Sequence, residues 1–207
     1  MKRFRNLLIA TLCIGILLCL VACGQTTETT PSDADQTSDA AKDNPIVEFR
    51  FSTGDVVTVE LYPDEAPITV QNFLTYVREN FYVGTVIHRV ESIVVQGGGM
   101  TIKNGALVDK ATHDPIKGEF SSNGVNNRVS HTAGTISMAR SSINSATSQF
   151  FFCPVDYPYW DGDYAAFGHV VDQSSLDAIV RLSKVKTDGS NRPVSDIIIR
   201  SVRIISE

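Results

Sequence analysis

Cysteine is scarce where a disulfide scaffold would need it. Of the four in the chain, Cys13, Cys19 and Cys23 lie near the start, which leaves Cys153 alone in everything that follows. A lone thiol forms no internal disulfide, and no Cys/His spacing of the zinc-site kind occurs. Cys153, in a β-prone run, reads as a small buried residue rather than a nucleophile. Basic charge is also short, with 18 Lys+Arg against 23 Asp+Glu and a formal net charge of −5. That argues against a nucleic-acid binder, which needs clustered Lys and Arg for phosphate contacts. The glycines Gly97, Gly98 and Gly99 stand in no G-x-G-x-x-G or GK[ST] pattern, so they read as a tight bend rather than a phosphate cradle. Ser137 and Ser148 lack the G-x-S-x-G setting of a hydrolase nucleophile. His113, His131 and His169 are scattered, without metal or triad spacing, and His88 reads as structural. No internal repeat is visible.

What is present begins with an address. Lys2, Arg3 and Arg5 precede an apolar run from Leu7 to Leu20, the layout of a signal peptide and short for a dedicated spanning helix. It ends in Leu20-Val21-Ala22-Cys23-Gly24, which resembles the lipobox of bacterial lipoproteins. That resemblance implies removal of residues 1–22, with Cys23 lipidated (diacylglyceryl and palmitate-type chains). The domain is then expected outside the cytoplasm, lipid-anchored to a bacterial cell membrane, because two or more acyl chains hold a soluble domain where one is marginal. Residues 23–44 follow as the lipidated Cys and an acidic linker of Thr, Ser, Asp and Ala, too poor in apolar side chains to offset the entropy of ordering.

From Pro45 the composition changes, and residues 45–207 read as one domain. Val47 to Phe51 and Val56 to Leu61 alternate around a turn containing Gly54, a β-hairpin. After Pro63-Asp64-Glu65-Ala66-Pro67, the residues Val70, Phe73, Leu74 and Val77 fall at i, i+3, i+4 and i+7. This predicts a helix with one apolar face, Pro67 in its first turn and acidic residues at its start. Tyr82 to Val90 predicts a strand with the Arg89 charge near its end at the surface, and the apolar run from Ile93 leads to the glycine bend. Residues 100–128 hold few apolar positions and predict a long loop. Tyr164 to Val171 predicts a strand. A second helix opens at Ser174, with Ser174 and Asp177 at capping-box spacing and Leu176, Ile179 and Val180 on its apolar face. Ile197 to Ile205 predicts a closing strand. Many strands and two separated helices favour a mainly β, closed or nearly closed antiparallel barrel with helices over its ends.

The most informative stretch is Gly134 to Pro154. Thr135 to Ala139 and Ser148 to Phe152 predict two strands joined by a polar loop. Three consecutive Phe cannot all face one core, since side chains alternate across a strand. With Phe150 and Phe152 inward, Phe151 and Gln149 face the other way, either as an exposed aromatic beside an amide that could take an apolar group next to a peptide bond, or, as this stretch alone favours, with Phe151 packed under a helix or loop.

Taken in order, His88-Arg89, Gln96-Gly97-Gly98, Ile136-Ser137-Met138-Ala139, Ser148-Gln149-Phe150-Phe151 and Phe167-Gly168 resemble the cyclophilin family of peptidyl-prolyl isomerases, as does Asn72-Phe73 in the first helix. The resemblance covers the whole domain. It implies a closed eight-stranded antiparallel barrel capped by two α-helices, with a peptide groove on its outer face. The same resemblance implies catalytic roles for Arg89, Gln96 and Phe151, and substrate-binding roles for Ile93, Val94, Ala139, Arg140, Gln149, Tyr159, Trp160 and Tyr164. The family's Phe-Met pair is matched here by Ile93 and Val94, with one residue fewer between Arg89 and Gln96. Tyr159 stands for the family's Trp, Trp160 for its Leu, and Tyr164 for its pocket His, which argues against an obligatory ionisable base. The expected activity is peptidyl-prolyl cis-trans isomerisation on proline-containing, exported or unfolded polypeptides, by a monomer, with no cofactor, no metal and no nucleic acid. Cyclosporin-type ligands are expected to bind weakly. The competing readings are a non-catalytic proline-peptide-binding or chaperone module, for which the shortened Arg89–Gln96 segment speaks, and a small-ligand lipoprotein receptor.

Overall fold

The alternation at the head of the domain folds into β1 (Ile46–Phe51) and β2 (Val56–Leu61), paired antiparallel. Val47, Phe49 and Phe51 from β1 meet Val57, Val59 and Leu61 from β2 on the inner face. This computed structural model describes residues 43–207; the expected signal peptide, Cys23 and all but the last two linker residues lie outside the described residues. Of those two, Asn44 donates its side-chain amide to Glu60 at 3.3 Å.

The first helix, α1, runs Pro67–Arg78 and buries Val70, Phe73, Leu74 and Val77 as its periodicity predicts, with Thr69 and Tyr76 beside them. Its start corrects the expectation. No acidic residue occupies the first turn and Ala66 supplies no cap; Glu65 pairs instead with Arg128. The carboxylate of Glu119, fifty residues on and 2% exposed, accepts from the Ile68 N–H at 3.0 Å and from the Thr69 N–H and hydroxyl at 2.7 Å each. Orphan N–H donors at a helix start need an acceptor, and here tertiary structure provides it.

Next come β3 (Val86–Glu91) and β4 (Val94–Gly97), joined by the two residues Ser92 and Ile93. Their register slips between Ile87 and Arg89, so His88 is the extra residue of a β-bulge. The region expected as one long loop begins otherwise: β5 (Met100–Lys103) and β6 (Ala106–Asp109) form a separate two-stranded hairpin. Its turn is Asn104-Gly105, both with positive φ (52° and 78°), the conformation an Asn-Gly pair adopts most readily between strands. Beyond it, apart from a 3-10 turn at Ser121–Asn123, the chain is irregular as far as β7 (Thr135–Met138), which pairs with β8 (Phe150–Phe152).

After β9 (Ala166–Val170), helix α2 (Gln173–Leu182) is capped by Asp172, which accepts from the Ser175 N–H at 2.7 Å. The capping box expected at Ser174 and Asp177 does not form. The buried face of α2 is Ser175, Ala178, Ile179 and Leu182, with Leu176 and Val180 half-buried at its margins. The closing strand β10 (Ile197–Ser206) pairs with β1 and β3.

Eight strands close into an antiparallel barrel in the order β1-β10-β3-β4-β8-β7-β9-β2. Inside it, Phe49 meets Phe150 and Phe152 at 5.3 Å each, and Phe73 of α1 meets Phe167 and Tyr82 at 5.2 Å. Rings at such distances leave no channel. A ligand site therefore belongs to the outer surface. Among the described residues no helix is long and apolar enough to cross a membrane.

Candidate functional site

The outward-facing residues of four adjacent strands fall into one cross-strand row. Arg89 on β3 pairs with Gln96 on β4, Gln96 with Phe151 on β8, and Phe151 with Ser137 on β7. Without the bulge, Arg89 would share the face of Ile87, which is in the core; the extra residue His88 turns Arg89 outward while Val90 returns inward. The missing residue between Arg89 and Gln96 is absorbed by the short connection, and the two stay directly opposite each other.

Phe151 faces away from Phe150 and Phe152 as alternation requires, and at 3% exposed it is packed under a covering segment rather than open to solvent. It belongs to a second apolar cluster with Val94 and Cys153, bordered by Ile93, Ala139, Trp160 and Tyr164. The segment after β8 covers it: the Trp160 and Tyr164 rings stand edge-on to Phe151 at 5.0 and 5.7 Å. What remains is a cavity of about 120 Å³ lined by Arg89, Val94, Gln96, Ala139, Arg140, Phe151, Trp160 and Tyr164. Apolar walls with a guanidinium at the rim can hold a small ring and offer donors to an atom beside it.

Two of the expected pocket residues are placed elsewhere. Tyr159 is 82% exposed, its ring 5.4 Å from Tyr157, and does not line the cavity; Trp160 takes the wall position. Ile93 packs against Val94 and Phe151 without reaching the cavity.

A second concavity of about 250 Å³ adjoins the first through Gln96, Ala139 and Arg140 and continues along Ser141, Ser145, Thr147 and Gln149. Gln96 donates to Gln149 at 3.0 Å, and Gln149 offers its backbone carbonyl to the Ala139 N–H at 2.9 Å. Arg140 donates through Nε to the Asp163 carbonyl at 2.8 Å and lays its guanidinium 4.7 Å from the Tyr164 ring and 4.9 Å from that of Phe120. A wider concavity of about 680 Å³ along α1, lined by Pro67, Ile68, Gln71, Asn72, Thr75, His113, Asp114 and Ile116, has no guanidinium and no Phe, Tyr or Trp ring in its walls.

His131, set aside from the sequence as scattered, proves to be the brace behind the pocket. Fully buried, it stacks on Phe151 at 6.0 Å. Its Nδ1–H donates to Asp161 at 2.8 Å, leaving Nε2 to accept from the Ser137 hydroxyl at 3.0 Å. The array has the order of a hydrolytic triad, but Ser137 is wholly buried and offers no nucleophile. Cys153, equally buried, has its thiol pushed up to about 12 by burial, so it is no nucleophile either. Nothing in sequence spacing joins Asp161 to His131. Among the described residues no three His, Cys, Asp or Glu side chains gather as metal ligands would.

Burial lowers the pKa of His131 below 6.5 against the opposing pull of Asp161, and burial lowers that of His88 as well. Both are depressed in the fold, so the unfolded chain takes up protons first. Their stabilising contribution is complete above the unfolded value of 6.5 and is lost as pH falls from there through the folded values. The urea midpoint is expected to fall between about pH 7.5 and pH 5, before carboxylates begin to protonate. A midpoint constant across that interval contradicts the depressed values.

The family model for "Cyclophilin type peptidyl-prolyl cis-trans isomerase/CLD" matches residues 46–204. A peptidyl-prolyl cis-trans isomerase of Acinetobacter baylyi is 39% identical over 174 residues, covering 79% of this chain and 87% of that protein. Peptidyl-prolyl cis-trans isomerase B of Escherichia coli is 38% identical over 173 residues, covering 77% and 99%. Among solved structures, a Cryptosporidium parvum cyclophilin-type isomerase superposes with a TM-score of 0.65 at 23% identity, covering 79% of this chain and 99% of that one. The structure of that protein determined in the presence of the dipeptide Ala-Pro gives a TM-score of 0.62.

Proposed function

Since the chain belongs to the cyclophilin-type peptidyl-prolyl cis-trans isomerase family, we propose that its reaction is run by the row of residues from Arg89 to Phe151, on proline-containing segments of exported polypeptides. The chain is a peptidyl-prolyl cis-trans isomerase. Rotation about an X–Pro bond faces a barrier of ~18–20 kcal/mol because the amide C–N bond has partial double-bond character. No bond breaks, so no nucleophile is required. The need is to bind the twisted amide, whose nitrogen has become pyramidal and basic, better than the planar one.

The observation that carries this reading is that Arg89 lines one small cavity together with Phe151, Val94, Ala139, Trp160 and Tyr164. The cavity grips the proline ring while the preceding carbonyl turns. The guanidinium, always charged, donates to the ring nitrogen most strongly when the amide is twisted. Gln96, Gln149 and the Ala139–Arg140 edge hold the flanking backbone. The direct pairing of Arg89 with Gln96 removes the ground for the non-catalytic reading, since the shortened connection leaves the row intact.

Trp160 is the sole tryptophan of the chain and lines the cavity. Titration with a short Ala-Pro peptide is expected to shift its emission saturably, in parallel with inhibition of turnover of a second X–Pro peptide. An emission unchanged at concentrations that inhibit turnover places the proline elsewhere.

The anchoring is proposed on the sequence alone: Lys2, Arg3 and Arg5, the run Leu7 to Leu20, and Leu20-Val21-Ala22-Cys23 support a lipid attached at Cys23. Incorporation of labelled palmitate into the protein but not into Cys23→Ser is the expected result, and equal labelling of both overturns it. Residues 45–207, expressed alone, are expected to fold and to keep full turnover, because every residue of the row lies within them.

A further inference from the structure

Arg89 is held from two sides. Arg89 and Glu91 are two apart on β3, so both project from its outer face. One oxygen of Glu91, Oε1, accepts from Arg89 Nε at 2.8 Å and lies 2.7 Å from Nη2, occupying the side edge of the guanidinium. Nη1 donates to the side-chain carbonyl of Gln96 at 3.1 Å. Two of the five N–H groups a guanidinium carries are thereby hydrogen-bonded, one to each partner, and Nη2 is held in ion-pair contact with Glu91.

Glu91 is braced in turn. Asn191 donates its side-chain amide to the same Oε1 at 3.1 Å, while its backbone carbonyl accepts from the Val90 N–H at 2.8 Å. Asn191 therefore grips β3 by main chain and side chain together. Its φ of +61° lies in the left-handed region that Asn tolerates better than most residues. The turn holding it is closed by the Asn191 N–H on the Asp188 carbonyl at 3.1 Å and the Asp188 N–H on the Arg192 carbonyl at 2.8 Å.

We propose that Glu91, braced by Asn191, is a positioning residue that fixes the guanidinium plane of Arg89 against the proline pocket. The proposal rests on the reading of Arg89 as the catalytic donor. An unrestrained arginine spreads over many rotamers, and a donor that matters only to the twisted amide must already be in place when the twist occurs. Glu91 holds the guanidinium through Nε, Gln96 holds it through Nη1, and the N–H groups not so bonded are left for the substrate. The side chains of the pair are 46% and 30% exposed, so the pair contributes little to folding stability. Its effect belongs in turnover.

The test compares Glu91→Ala, Glu91→Gln, Asn191→Ala and Arg89→Ala by steady-state kinetics on an X–Pro peptide, with thermal melts as a folding control. Glu91→Ala is expected to lower kcat about 10-fold, with KM changed by less than about two-fold. Glu91→Gln restores most of the loss, because its carbonyl still accepts from Nε. Asn191→Ala falls between them. The Arg89 Nε–H resonance is expected to exchange slowly in the unmodified protein and in Glu91→Gln, and to be lost in Glu91→Ala. If Arg89→Ala is inactive while Glu91→Ala keeps its kcat or raises it, the positioning role is overturned and the reading of Arg89 stands. A Glu91→Gln protein as impaired as Glu91→Ala overturns it too. If Arg89→Ala turns over normally, the reading beneath both fails.

Discussion

Arg89→Ala is expected to fold normally and to lose nearly all isomerase activity. Removing one preorganised donor from a reacting centre costs about 3–4 kcal/mol, which corresponds to roughly 100- to 1,000-fold in kcat/KM. The same change costs the fold little, because Arg89 is exposed and its ion pair with Glu91 is half-solvated. The two effects separate cleanly in a melt beside a protease-coupled assay or exchange NMR. Retained turnover in a folded Arg89→Ala protein removes the guanidinium from the mechanism. The remaining groups of the pocket, Gln96, Phe151 and Trp160, would then have to be credited with the whole acceleration.

Glu119→Ala is expected to have the largest effect on stability. One carboxylate, almost wholly buried, satisfies two backbone donors and one hydroxyl at the start of α1. An unsatisfied buried donor costs ~1–3 kcal/mol, and the three share one acceptor and do not add, so a total of about 3–4 kcal/mol is expected. In a domain of this size that lowers the melting temperature by about 6–16 °C. Helix α1 carries Phe73 into the ring cluster with Phe49, Phe150 and Phe167, so loosening its start loosens the core. Glu119→Gln, which keeps an acceptor oxygen, is expected to lose less. A melting temperature within about two degrees of the parent for Glu119→Ala would mean that water serves these donors as well as the carboxylate does.

The elements that sequence disclosed are those whose signal is local. The alternation from Val47 to Leu61, the i, i+3, i+4, i+7 spacing in α1, and the parity of Phe150, Phe151 and Phe152 each follow from the pitch of a helix or the pleat of a strand. The order of short motifs then carried the family, and with it the eight-stranded barrel. The Asn104-Gly105 hairpin carries a turn signal of the same local kind, Asn-Gly between two short β-prone runs, yet residues 100–128 read as one long loop. The polar composition around it masked that signal.

Other features have no local signature. The His88 bulge changes which face Arg89 takes, and one extra residue in a strand is visible only against its partner. The cap of α1 comes from Glu119, the brace of the pocket floor joins His131 to Asp161 and Ser137, and the arm on Glu91 comes from Asn191; each bridges positions far apart in the chain. The choice of Trp160 over Tyr159 as pocket wall depends on a short 3-10 turn, Pro158–Trp160, which leaves Tyr159 exposed and lays Trp160 against Phe151. By itself, then, the sequence determined periodicity, parity and the family. Tertiary structure decided which polar groups meet, because a buried donor takes whatever acceptor the closed barrel brings within reach, however distant along the chain.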